Sequence, residues 1–331
     1  MKKIIIAIIL VCSQFFSFAQ DAKQLHETAK EFMRQADYAN AILVLNRAVL
    51  LEPKNIAIQK DLALSYYFQR DNVKAQEIAK SLVDNDAADD QVFQLAGLIY
   101  RQAGMLKDAE KVYKKGLKEF PKSGPLYNDL GELQWQQQDY EAIKQWEKGI
   151  ETDPSFSKNY YNAAKYYYLS TDKLWSLIYG EIFLNMEPAS SNAPEIKELL
   201  LNGYKKLFID ASLQPDIKEK SEFVRLYFKI MNEQSPIAST GINANTLSMI
   251  RTRFILSWFN SKQVPSFRLF KYQQELLKEG LFEAYNQWLF GSAQNLSNFQ
   301  HWVNTHTETY NAFVQLQKNK LFKMPAGEYY K

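Results

Sequence analysis

The chain has 331 residues, with 40 Lys and Arg against 37 Asp and Glu, a formal charge of +3. That length leaves room for about two domains, and so even a balance excludes a dedicated nucleic-acid binder, whose domain is strongly basic. An apolar share of 46% excludes global disorder, and a single Cys excludes a disulfide framework or a cysteine-ligated metal site.

The N-terminus reads as a secretory signal peptide over residues 1–19. Met1-Lys2-Lys3 is a short basic region, Ile4 to Cys12 is apolar, and Ser17-Phe18-Ala19 offers small residues for cleavage after Ala19. The apolar run is shorter than the ~18–20 residues that span a bilayer, so no transmembrane segment is expected after cleavage. The chain is therefore expected to be exported, periplasmic or extracellular. Lipid anchoring through Cys12 is the alternative, although Val11 stands where a small residue is needed.

Prolines mark a period. Pro53 to Pro121 is two steps of 34 residues, Pro121 to Pro154 is 33, and Pro154 to Pro188 is 34. Small residues recur between these marks at Ala29, Ala63, Gly97, Gly131 and Ala164, and again at Ala41, Ala75, Ala109, Ala142 and Ser176. Such positions let two helices touch, while aromatics between them fill the space to the next pair. Proline then ends the second helix. The fourth unit is one residue short between Gly131 and Ala142, which predicts a tight turn. In the fifth, Thr171 or Asp172 is placed to cap a helix from Lys173.

Five such units in register over about residues 22–188 resemble the tetratricopeptide repeat (TPR) family. The resemblance implies a right-handed α-solenoid of about five helix hairpins over 20–189; residues 190–331, outside it, read from their own pattern as a separate helical C-terminal domain, so the expected fold is all-α. It also implies a concave groove lined by places 5, 9, 12 and 13 of each first helix. The groove candidates are His26, Lys30 and Arg34, then Lys60 and Tyr67, Arg101, Asn128 and Trp135, and Tyr161, Lys165 and Tyr168. The carboxylate-clamp subclass is not matched, because its Lys and Asn are replaced by His26 and Lys30.

Beyond the repeats, a helix over about 194–209 is expected to cap the solenoid, with Lys197, Glu198, Asn202, Lys205 and Lys206 on its polar face. Further helices are expected near 216–232, 245–261, 266–290 with a break at Gly280, and 293–320, followed by an irregular tail. Residues 190–331 carry 17 basic and 12 acidic side chains, whereas 20–189 carry 21 and 25. The halves thus differ in sign, an effect screened within ~10 Å at ordinary salt.

No catalytic, metal or cofactor motif is found. His301 and His306 are five residues apart, which on a helix does not bring them to one face. The expectation is a non-enzymatic scaffold for a protein or extended peptide, without cofactor or nucleic acid. Two alternatives are a docking arm for an enzymatic or glycan-binding C-terminal domain, with Trp258, Trp288 and Trp302 stacking on sugars, and a self-assembling homo-oligomer.

Overall fold

The computed structural model describes residues 21–209, 221–262 and 264–331, and the expected signal peptide lies outside them. The architecture is all-α, an α-solenoid of repeated helix hairpins, with no strand among the described residues. Two compact units part after Phe120.

The first unit holds three hairpins: α1 (Ala22–Arg34) with α2 (Tyr38–Leu51), α3 (Ile56–Phe68) with α4 (Asn72–Val83), and α5 (Asp90–Gln102) with α6 (Leu106–Glu119). Ala29, Ala41, Ala63 and Ala75 are wholly buried where paired helices touch. At Gly97 the approach is closer still, because a Cβ there would fall inside the ring of Tyr113. Leu25, Leu45, Ile58, Leu62 and Leu82 fill the remaining core.

The second unit opens with two further hairpins, α7 (Gly124–Gln136) with α8 (Ala142–Thr152) and α9 (Ser157–Leu169) with α10 (Lys173–Met186). Gly131 lets the Trp146 indole lie where its Cβ would be.

The turns within hairpins one to four share one device. Ala36, Arg70, Gly104 and Gln138 all have φ between 58° and 75°. The next amide then bonds back to the carbonyl five residues earlier, as in Asp37 N–H to Phe32 and Asp139 N–H to Gln134, both at 2.9 Å. That is the Schellman closure. The short fourth unit therefore does not tighten this turn. It loses its residue from the start of α8, where Ala142, Ile143 and Lys144 bond three residues back instead of four, a 3₁₀ turn. Between hairpins, Glu52, Phe120, Asp153 and Glu187 are all extended (φ near −130°, ψ 60–77°), as the following proline demands. In the fifth hairpin Asp172 does stand before α10 but does not cap it; its carboxylate faces the Lys331 ammonium at 3.2 Å.

Helix α10 is buried over Leu174–Asn185 without interruption, as an all-round apolar helix must be. Helix α11 (Ala193–Ile209) packs on it through Gly180 and Gly203. It is not a terminal cap, because its other side is covered as well: Tyr204 meets Phe290 edge-on at 5.7 Å. Lys197, expected in water, lies over the Trp288 ring at 4.4 Å, and burial lowers its pKa to about 8.

Next come α12 (Glu222–Asn232), the short α13 (Ser235–Ala238), α14 (Ala244–Asn260) and α15 (Arg268–Lys278). Helix α16 (Phe282–Asn286) runs through a π-helical turn (Gln287–Gly291) into α17 (Ser292–Gln294). The single helix expected over 293–320 is two, α18 (Leu296–Thr305) and α19 (Thr307–Asn319), broken at His306. There the Thr305 hydroxyl bonds back to the carbonyls of His301 and Trp302, and the imidazole stacks on Trp302. The irregular tail is tied down: Phe322 and Met324 are buried, and Tyr330 stacks on Phe223 at 4.8 Å. One core runs from Ala142 to Met324 across residue 189, so the last two hairpins share their interior with the C-terminal helices.

Candidate functional site

In the first unit two of the expected groove residues, His26 and Lys60, are drawn into ties between hairpins. His26 is 8% exposed, and its Nε2 lies 2.6 Å from the Asp61 carboxylate, linking α1 to α3. Lys60 donates to Asp89 at 2.7 Å and Gln91 at 2.9 Å, linking α3 to α5. Burial alone would raise the Asp89 pKa, but the Lys60 ammonium and the Val92 N–H hold it below the usual range. Lys30 and Arg34 pair with Glu27 and Glu31 on their own helix. Tyr67 is half-buried against Phe68, which itself stacks on Tyr38. Arg101 is half-buried.

The second unit brings its candidates together differently. Asn128 is 2% exposed; its amide donates to Asp129 and Glu132 and accepts from Asn162, so it braces α7 against α9. Trp135 is 37% exposed and packed among Tyr140, Trp146 and Tyr166. These two are largely packing residues, as a repeat interface requires.

Tyr161, Lys165 and Tyr168 instead border a cleft of about 280 Å³ between α9 and α11. The Tyr161 hydroxyl donates to Glu195 at 2.6 Å and accepts from Lys165 at 3.1 Å, and Lys165 also pairs with Glu195 at 2.8 Å. Burial would raise the Glu195 pKa, yet Lys165 and Tyr161 hold it below normal; burial and Glu195 push the Tyr161 phenol up. Leu169 and Leu199 supply apolar walls, and Leu169 is 70% exposed. The Lys206 ammonium stands 4.0 Å above the Tyr168 ring. The contribution of α11 was hidden in the sequence because Glu198 and Asn202 read there as the solvated face of a cap.

Two tryptophans proposed for sugar stacking are not available. Trp258 is wholly buried against Phe223 and Phe270, and Trp288 is buried under Lys197. Among the described residues no group of three His, Cys, Asp or Glu is placed to hold a metal ion, and no helix is long and apolar enough to cross a membrane.

Sequence reading also missed a buried polar cluster. Glu181 Oε1 accepts from Arg251, from Gln273 at 2.5 Å and from Tyr285 at 2.6 Å, while Arg251 Nη1 donates to Asn286 at 2.8 Å. The Tyr285 phenol is pushed well up by burial and by Glu181. The adjoining void is only about 10 Å³, too small to admit a ligand. This cluster is a structural lock. Its signal was a lone acid in the apolar run of α10 and a lone arginine on the inner face of α14.

Hairpins of 33 or 34 residues, with Gly or Ala at each contact between paired helices, settle the fold. The fold is an α-solenoid of helix hairpins. Comparison by sequence finds no matching family profile and no matching curated protein. Solved structures with a similar chain path include three bacterial proteins. The pilF protein of Pseudomonas aeruginosa is 13% identical over 66% of this chain and 93% of its own, with a TM-score of 0.49. A tetratricopeptide repeat protein of Parabacteroides merdae is 17% identical, over 78% of this chain and 97% of its own, with a TM-score of 0.44. A thermophilic TPR protein of Thermus thermophilus is 15% identical over 55% of this chain and 98% of its own, also at 0.44.

Proposed function

We propose that this chain is an exported scaffold that holds a protein or extended peptide on the exposed face of its first-of-pair helices and carries out no catalysis. The observation that carries the reading is the α9–α11 cleft, where exposed Leu169 and half-buried Tyr168 lie between Lys165 and Glu198, with buried Leu199 in the wall. An exposed apolar floor with charges of both signs at the rim suits a peptide side chain flanked by polar backbone.

Affinity capture from an envelope extract, with the wild type and with Leu169→Glu and Tyr168→Ala, tests it. Partners recovered by the wild type should fall away in both variants. Recovery of the same partners at the same yield removes the cleft from the reading. Mass spectrometry of the wild type in the same preparation should show an N-terminus at Gln20.

A further inference from the structure

A second cavity, of about 360 Å³, borders the π-helical turn at Gln287 and Gly291 and shares no lining residue with the α9–α11 cleft. Its size is at the small end of the ~300–1,000 Å³ of small-molecule sites. None of its walls is a Lys, Arg, Asp or Glu. Five are amides: Asn245, Gln287, Gln294, Asn295 and Asn298.

Most of these amides are anchored by one end. Gln287, only 4% exposed, donates through Nε2 to Asn245 Oδ1 at 2.9 Å, which leaves its own Oε1 lying over Gly291. Gln294 Oε1 accepts the Ala244 N–H at 2.6 Å, and Asn295 Oδ1 accepts the Asn298 N–H at 2.9 Å. The NH₂ groups of Asn245, Gln294 and Asn295 are thereby left as donors, with Gln287 Oε1 as an acceptor. A Cβ on Gly291 would stand 2.7 Å from Phe299 and 2.8 Å from Gln287 Oε1, so only glycine leaves this wall open. Phe299 and the stacked pair Trp302–His306, 4.4 Å apart and 5° from parallel, supply aromatic lining, and Ala244, His301 and Thr305 complete it.

We propose that this cavity binds a neutral saccharide. A hydroxyl both donates and accepts, so pre-oriented amides of both senses match neighbouring hydroxyls on a sugar ring. Aromatic rings cover the C–H surface of a pyranose. No Lys, Arg, Asp or Glu stands in the lining to favour a charged ligand over a neutral one. The π-helical turn supplies the geometry: its wider coil carries Gln287 into the wall, and such turns recur at functional sites. This site is independent of the peptide cleft and uses Trp302, not the two buried tryptophans.

Saturation-transfer NMR on the full chain, with maltotetraose, cellotetraose, xylotetraose, mannotetraose and chitotetraose as separate probes, tests the proposal. At least one should give saturable transfer, with affinity weakened about tenfold or more in Gln287→Leu and in Asn298→Trp. Asn298 is exposed, so its tryptophan blocks the cavity without disturbing the core. Circular dichroism of both variants monitors folding. Absence of saturable transfer from all five probes overturns the proposal. So does wild-type affinity in Asn298→Trp, or tighter binding of anionic tetragalacturonate than of any neutral probe.

Discussion

The two units are built from the same helix hairpin but are held together by different means. In the first, the two helices of each hairpin meet at alanine and glycine, and neighbouring hairpins are tied by pairs such as His26–Asp61 and Lys60–Asp89, separated by 29–35 residues. In the second, the interior is aromatic, α10 is enclosed, and Glu181 reaches partners 70 and 104 residues away. A repeat needs only nearest-neighbour contacts and can be read from its period. A closed core needs long-range partners that no period announces.

The sharpest way to break this contrast is at the buried ion pair. Arg251→Leu leaves Glu181 charged and unpaired among Tyr285 and Gln273, and should cost about 3–5 kcal/mol in urea unfolding. The double variant Glu181→Leu/Arg251→Met should recover most of that loss, since the penalty lies in the orphaned charge. If Arg251→Leu alone costs no more than an ordinary surface change, the lock is misassigned.

Next in size are the glycines, which separate packing from backbone. Gly131→Ala drives a methyl into the Trp146 indole and should cost about 1–3 kcal/mol. Gly104→Ala meets open space but must hold φ at +75°, and should cost about 1 kcal/mol. Thermal melts of the two variants measure both. At Arg70, whose φ is already 62°, glycine should raise stability by about 0.5 kcal/mol.

A further effect, read along the pH axis, concerns Lys197 over Trp288. Burial lowers its pKa to about 8 in the folded chain, below the ordinary lysine value of 10.5. Between those values the unfolded chain holds the proton that the folded chain has released, so stability should rise with pH across that window. Lys197→Met should flatten this part of the pH profile relative to the wild type, as followed by chemical denaturation. An identical slope in both proteins would place the ammonium in water.

The hairpins were legible because their signals are local. Ala29, Gly97 and Gly131 stand where a longer side chain would separate helices, and Pro53, Pro121, Pro154 and Pro188 stop helices at fixed intervals. The groove was legible only in outline. His26 and Asn128 occupy lining places by count, yet their side chains turn into contacts with Asp61 and Asn162 supplied by the neighbouring hairpin. Tyr168 lies beside Leu169 on α9, but the wall that faces them from α11 was not foreseen. An amphipathic helix has the same spacing whether its polar face meets water or borders a cleft.

The amino-acid order by itself determined the helical period, the small residues at hairpin contacts and the pre-proline breaks, because backbone sterics and side-chain volume act within a few residues. Tertiary structure alone decided that Glu181 would meet Arg251, that α11 would be covered on two sides, and that amides from α14, the π-helical turn, α17 and α18 would converge on one cavity. Those outcomes depend on which distant surfaces exclude water together, and burial is a property of the assembled chain.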